Sequence, residues 1–199
     1  MKKTLLALAV SAQLSTQLFA GGDIAPVEPH IPEVMEHETE SKFYVIAKAL
    51  MIMGDKVDHG AGVVLDGDRD YGYGIDIGYR LGNGFALEYD FSYARNTVSE
   101  IEHGDLIHEA KGTYYTHALD IVYTYEFTHT FGVFAKAGYE YEIEEIEEYH
   151  VDLDEHGFNY GVGVEYALNH KYKLIAEYEH STIEGPRGDS VFVGVMYNF

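Results

Sequence analysis

Apolar and polar residues alternate one by one along most of the chain after residue 42. In residues 71–81, for example, Tyr73, Ile75 and Ile77 alternate with glycines and with Asp76. Because successive side chains of a β-strand point to opposite faces, this period of two predicts strands with one apolar and one polar face. Eight such segments can be delimited, at 43–53, 71–81, 85–93, 113–127, 131–143, 158–168, 172–180 and 190–199.

The connections between these segments alternate strictly in length. Three are short (82–84, 128–130 and 169–171), and four are longer (54–70, 94–112, 144–157 and 181–189). The strands alone would also suit a soluble sandwich with its charged face in water. Alternating short turns and long loops are instead typical of membrane barrels. We therefore predict an all-β fold, an eight-stranded antiparallel up-and-down transmembrane β-barrel.

The charged residues near the strand centres fall on the face opposite the apolar set. A Lys or Arg facing lipid at the bilayer midplane would cost roughly 2–4 kcal/mol, so this face must point inward. Eight strands leave an interior just wide enough for side chains, which favours a packed lumen with ion pairs. The predicted inward charge network comprises Lys48, Asp76, Arg80, Asp90, Asp120, Lys136, Glu140, Glu165, Lys173 and Glu177.

The first 41 residues show no strand alternation. Lys2 and Lys3 precede a short apolar run and a small-residue end, which predicts a cleavable secretory signal over 1–20, cut between Ala20 and Gly21. Residues 21–41 contain three prolines among several acids, which predicts a flexible acidic periplasmic segment. The barrel domain is then expected to cover 42–199.

Charge and composition exclude one class of partner. The formal net charge of −21 opposes nucleic-acid binding, which depends on neutralising phosphates with Lys and Arg. Cysteine is absent, so neither disulfides nor thiolate metal sites can stabilise the fold. At a membrane surface the acidity favours divalent cations that bridge the protein to lipopolysaccharide phosphates.

The chain ends in a strand with alternate apolar residues behind a final aromatic residue. Together with the rhythm of strands and loops over 42–199, this ending resembles the small outer-membrane barrels typified by the transmembrane domain of OmpA and by OmpX. The resemblance implies an integral outer-membrane location, contact with lipid and lipopolysaccharide, and a monomer. It also implies that Tyr197 and Phe199 form the signal recognised by the barrel-assembly machinery.

One barrel fold hosts several functions, so the activity must be argued from the site. We expect a non-enzymatic surface protein that serves envelope integrity or adhesion, with acidic loops that contact an extracellular partner. A narrow ion-conducting pore is the alternative, and a lipid-modifying enzyme is less favoured. His180 and Ser181 are adjacent, so on a strand they point to opposite faces and His180 could not readily activate Ser181.

The third long connection suggests a metal site. Its ligand-type residues recur at every second position, which places them on one face of an extended strand: His150, Asp152, Asp154 and His156. Imidazole and carboxylate suit Zn²⁺ and similar ions, but alternate side chains lie about 7 Å apart on a straight strand. The loop would have to bend, or His103, His108 or Glu109 contribute. The alternative is a solvated acidic loop, and no other cofactor is expected.

Overall fold

The computed structural model describes residues 42–146 and 151–199. Antiparallel pairing of alternating segments produces ten strands in this part of the chain. Their bounds are β1 Phe43–Ile52, β2 Lys56–Gly60, β3 Val63–Gly67, β4 Asp70–Gly82, β5 Phe85–Glu102, β6 Asp105–Glu126, β7 Phe131–Ile146, β8 Val151–Ala167, β9 Tyr172–Ser181 and β10 Ser190–Asn198. No helix among the described residues is long and apolar enough to cross a bilayer.

Eight of the strands form a closed ring, which confirms the predicted barrel. Each pairs antiparallel with its neighbours in the order β1, β4, β5, β6, β7, β8, β9 and β10. The pairing of β10 with β1, from Ser190 opposite Ile52 to Asn198 opposite Tyr44, closes the ring. Closure leaves no unpaired edge in the ring, so the backbone groups of the spanning region are satisfied internally.

The long connections contain more strand than predicted. The expected loop 54–70 holds the hairpin β2–β3, and β3 extends the sheet by pairing with the far end of β5. The prediction of a loop over 94–112 is wrong for most of these residues, because β5 and β6 stay paired up to a tight turn at His103 and Gly104. Only strand residues that face lipid need to alternate between apolar and polar, whereas the hydrogen bonds between strands continue beyond them. The strands are therefore longer than the alternating segments of the sequence.

Apolar side chains form a band around the outside of the ring. Ile77, Ile121 and Val162 are each at least 50% exposed in the isolated chain, as lipid-facing residues should be. Outward aromatic residues border this band at both ends. The ring at the short-turn end includes Phe85, Tyr125, Phe131, Tyr166, Tyr172 and Phe199, and the ring at the long-connection end includes Tyr71, Tyr93, Tyr141, Tyr160 and Tyr178.

The interior is filled in layers. One apolar cluster near the short turns contains Tyr44, Ile46 and Met196, and a second contains Leu50, Tyr114 and Phe192. On β1, Lys48 lies between Ile46 and Leu50, so the charged layer is enclosed by apolar side chains on both sides.

Glycines on the inner face make room for these charges. A Cβ at Gly138 would lie 2.0 Å from an Asp120 oxygen, and one at Gly161 would lie 2.6 Å from the Lys136 side chain. Small and long residues thus alternate inside the barrel, as the width of an eight-stranded ring requires.

Candidate functional site

The centre of the charged layer is Lys136 on β7. Its side chain is completely buried, and its Nζ lies 2.6 Å from Glu177, 2.7 Å from Glu179 and 3.2 Å from Asp90. Asp120 is a fourth carboxylate, at 4.0 Å. These acids come from three different strands, so a single ammonium group links β5, β6 and β9 to β7 across the lumen.

A second buried ammonium group lies beside the first. Lys48 Nζ contacts Asp90 at 2.5 Å and Asp76 at 2.7 Å, and it sits 4.2 Å from the centre of the Phe192 ring. Asp90 therefore bridges the two lysines. Both ammonium groups are held by charge-assisted contacts with carboxylates on neighbouring strands.

The short-turn end of the lumen carries its own polar contacts. Lys173 Nζ lies 2.6 Å from Glu165, and the Arg80 guanidinium donates to Asn198 at 2.5 Å while stacking on the Tyr44 ring at 4.7 Å. Lys48, Lys136, Lys173 and Arg80 thus all face inward. The inward acids named from the sequence, including Glu140 and Glu177, are buried on the same face.

Arg187 is the main functional residue that the sequence analysis missed. It belongs to the connection between β9 and β10, yet it is only 4% exposed and projects into the barrel. Its Nε lies 2.8 Å from Glu142, its Nη1 donates to Thr116 at 3.0 Å, and its Nη2 lies 3.5 Å from Glu140. The fourth long connection therefore places this side chain inside the lumen.

The neighbour of Arg187 fixes the same connection to the wall. The Asn96 amide donates to the Pro186 carbonyl at 3.0 Å, and Asn96 in turn accepts a hydrogen bond from the Tyr114 hydroxyl at 3.0 Å. Pro186 and Arg187 are here called the plug. The sequence does contain a signal for it. The inward face of β7 continues as Glu140, Glu142 and Glu144, a run of acids that needs a base from elsewhere.

Above the plug lies an open cavity of about 620 Å³, here called the mouth cup. The hairpin β2–β3, the upper parts of β7 and β8, and residues 182–186 form its walls. The described lining residues are Val57, Asp58, Leu65, Glu144, Ile146, Leu153, Asp154, Glu155, His156, Thr182, Ile183, Glu184, Gly185 and Pro186.

Glu144 has the most unusual environment in the cup. It lies beyond the aromatic ring on β7 and is 7% exposed, and its Oε1 has no hydrogen-bond partner in the structure. Burial, together with the neighbouring carboxylate of Glu142, raises the pKa of Glu144 to about 7. Burial thus favours the protonated form of this carboxyl group more than in an exposed glutamate.

The predicted metal ligands are only partly within the described structure. His150 and the side chain of Asp152 lie outside it. Asp154 and His156 both face outward from β8, where Asp154 accepts a hydrogen bond from Tyr141 and the His156 ring lies 5.9 Å from the Tyr139 ring. Over 42–146 and 151–199 no group of three His, Asp or Glu side chains is arranged to hold a metal ion. The four-residue site stays a prediction.

His180 and Ser181 face different environments, as expected for adjacent strand residues. Ser181 Oγ hydrogen-bonds to Glu140 inside the barrel, whereas His180 Nδ1 lies 2.8 Å from Asp189 on the outside. Burial opposes ionisation of Asp189, but hydrogen bonds from Tyr178 and His180 hold its pKa below the usual range. His180 is therefore turned away from the Ser181 hydroxyl and is not placed to activate it.

The C-terminal residues lie at the short-turn rim. The rings of Tyr197 and Phe199 meet edge to face at 5.0 Å, and Phe199 is 61% exposed. Their role as an assembly signal stays a prediction, as do the signal peptide, the cleavage between Ala20 and Gly21 and the segment 21–41, which fall outside the described residues.

Comparison with known proteins identifies the class of molecule that this closed ring represents. The family model described as outer membrane protein beta-barrel domain matches residues 5–199. The chain belongs to this family, and it is an integral protein of the outer membrane, which confirms both the resemblance and the predicted location. A comparison with curated proteins finds no match.

Solved structures show the same fold at low sequence identity. OprG from Pseudomonas aeruginosa is 14% identical, with 80% of this chain and 97% of that chain covered and a TM-score of 0.66. Neisserial surface protein A is 19% identical, with coverages of 81% and 100% and a TM-score of 0.54. Ail of Yersinia pestis, solved with the heparin analogue sucrose octasulfate, is 14% identical, with coverages of 80% and 99% and a TM-score of 0.51.

Proposed function

We propose that this protein is a closed, non-enzymatic outer-membrane barrel whose acidic long-connection end is an extracellular interaction surface. The observation that carries the proposal is the filled lumen, in which Lys136 is buried among four carboxylates. Short turns of such barrels face the periplasm and long connections face outward. The mouth cup and the strand extensions of β5 and β6 would then be presented at the cell surface.

The long-connection end is held together by strand pairing and side-chain contacts. The hairpin β2–β3 is hydrogen-bonded to β5, and the fourth connection is held by Arg187 and by the bond from Asn96 to Pro186. Rigid scaffolds that present loop residues are the common arrangement for binding. This supports a surface interaction or an envelope-stabilising role over passage of solutes through the lumen.

The partner should differ from the ligand seen with Ail. That relative was solved with a sulfated polyanion. The described lining of the mouth cup contains several acidic residues and no Lys or Arg, so a polyanion would meet like charge there. We infer that this surface takes cationic partners, and that contact with lipopolysaccharide phosphates is bridged by divalent cations at the surface loops.

A narrow pore is the second candidate function, because one observation favours it. The central layer holds two lysines against Asp76, Glu88, Asp90, Asp120, Glu177 and Glu179, which is a surplus of acid inside the barrel. Mobile cations or water could balance such a surplus.

Planar bilayer recordings on folded monomer decide between the two. The closed barrel should give no steady ohmic conductance, and the same should hold for a variant at an exposed site such as Lys56→Ala. Arg187→Ala tests the plug, and conductance steps that appear only in this variant would locate the barrier at the fourth connection. Steady conductance in the wild-type monomer would overturn the proposal in favour of the pore.

A further inference from the structure

The mouth cup has the size of a small-molecule site. Its volume of about 620 Å³ falls within the roughly 300–1,000 Å³ that ligand pockets occupy. At its inner end lies the plug formed by Pro186, which lines the cup, and Arg187, which is buried against Glu142. A molecule that enters from outside would therefore be held there and not passed inward.

Much of the cup wall is apolar. Val57 and Leu65 come from the β2–β3 hairpin, Ile146 and Leu153 from the facing strands β7 and β8, and Ile183 from the fourth connection. These side chains stand at the extracellular end, beyond the lipid-facing band, where water would otherwise cover them. An apolar body placed against them would remove that surface from water, at about 25 cal/mol per Å².

The polar part of the wall has a single sign of charge. It comprises the carboxylates of Asp58, Glu144, Glu155 and Glu184, and no Lys or Arg belongs to the described lining. Arg187 lies beneath the floor but is occupied by Glu140 and Glu142. A ligand with a positive charge is the one that this wall attracts.

Glu144 supplies a defined point of attachment. It is more than nine-tenths buried and lines the cup, and its Oε1 has no hydrogen-bond partner. A buried acceptor without a partner costs free energy that an incoming donor recovers. An ammonium group is the donor that would also compensate its charge.

We propose that the mouth cup binds a small organic cation, with an ammonium group on Glu144 and an apolar body against Ile146, Leu153 and Ile183. The inference rests on the proposed function, because it requires the plug to hold the ligand outside. A bare divalent ion would leave the apolar wall uncovered. In the described structure these carboxylates also do not converge as a group of three metal ligands.

The test is isothermal titration of phenethylammonium into the full-length folded protein in nanodiscs at pH 8, with empty nanodiscs subtracted. The matched neutral and anionic probes are 2-phenylethanol and phenylacetate, and Mg²⁺ tests for a simple acidic surface. The amine should bind, and the other two organic probes should bind at least about tenfold more weakly, because a charge-assisted hydrogen bond contributes a factor of this order.

Variants separate the cup from the rest of the acidic surface. Glu144→Gln should weaken amine binding about tenfold or more, whereas Asp105→Asn removes one acidic charge outside the cup and should leave binding unchanged. Ile183→Ala should weaken the binding of phenethylammonium more than that of ethylammonium, because only phenethylammonium has a phenyl ring that packs against this side chain. This second variant keeps the test valid if the first one fails to fold.

Two results would overturn the inference. The first is that the amine and Mg²⁺ bind equally well and that neither Glu144→Gln nor Ile183→Ala changes this binding. The second is that the amine does not bind at all. Conductance of the same preparation distinguishes the two proposals. If the barrel does not conduct ions and does not bind the amine, only the ligand assignment is refuted. If the barrel conducts ions, the closed-barrel function is refuted, whatever the titration gives.

Discussion

Replacing Lys136 with methionine should destabilise the barrel strongly. Methionine keeps most of the apolar stem and removes the ammonium group, which lies within 3.2 Å of Glu177, Glu179 and Asp90. Lys48 still contacts Asp90, but no other Lys or Arg of the described structure lies within 4 Å of Glu177 or Glu179. These two carboxyl groups must then take up protons or remain as uncompensated buried charges.

The magnitude follows from the burial of all partners. Removing one member of a buried ion pair costs about 3–5 kcal/mol, because the remaining charge stays desolvated. A matched control is Lys56→Met, which removes a lysine that contacts Asp66 at 2.5 Å with its side chain 67% exposed. An exposed pair of this kind contributes only about 0–1 kcal/mol, so the two variants should differ several-fold.

The assay is urea unfolding of the barrel refolded into lipid vesicles at pH 8, followed by circular dichroism. Adding Glu177→Gln and Glu179→Gln to the Lys136→Met variant should restore part of the lost stability, because the neutral amides carry no uncompensated charge. If Lys136→Met unfolds within about 1 kcal/mol of wild type, as the Lys56 control should, the central ion network is solvated and the reasoning is refuted.

Three further predictions concern the orientation of the barrel, its pH dependence and metal binding. A cysteine at Asn83 should label only from the periplasm and one at Glu102 on intact cells; surface labelling of Asn83 would reverse the orientation. Glu144 has a pKa of about 7 against a usual 4.5, so its contribution to folding stability falls by up to about 3 kcal/mol as pH rises through that interval. The Glu144→Gln variant should therefore lose less stability between pH 5 and pH 8 than the wild type. Equal losses in the two proteins would contradict this. Zn²⁺ titration of the metal-free protein should give micromolar binding that His150→Ala or His156→Ala abolishes if the third connection holds a site; weak binding unaffected by either substitution would leave a diffuse acidic surface.

The alternation of apolar and polar side chains predicted the closed ring, because it arises within each strand separately. Lipid contacts one face of each spanning strand, so the position of Lys136 within β7 was enough to assign it to the lumen. The same reasoning failed over residues 94–112, where no apolar alternation marks the strands, although Asn96 and Val98 on one face of β5 are buried. The hairpin β2–β3 was missed for this reason, and also because Val63, Val64 and Leu65 do not alternate.

The candidate site depended on a contact that no local pattern encodes. Arg187 lies in a segment with turn-forming glycines and a proline, which predicts only a loop. Its position inside the barrel follows from the acids on the inner face of β7, forty-five or so residues earlier in the chain. The mouth cup depends on that plug and on the β2–β3 hairpin, so it could not be predicted before the connections were known.

The most direct test of the filled lumen is the reactivity of individual lysines in the folded barrel. The protein in lipid vesicles is treated with a small water-soluble acylating reagent, and modification at each lysine is measured by peptide mass spectrometry. Lys56, with an exposed side chain, should react readily, whereas Lys48 and Lys136, with side chains at most 1% exposed, should react only after unfolding. Acylation of Lys136 in the folded protein at a rate near that of Lys56 would contradict the closed barrel.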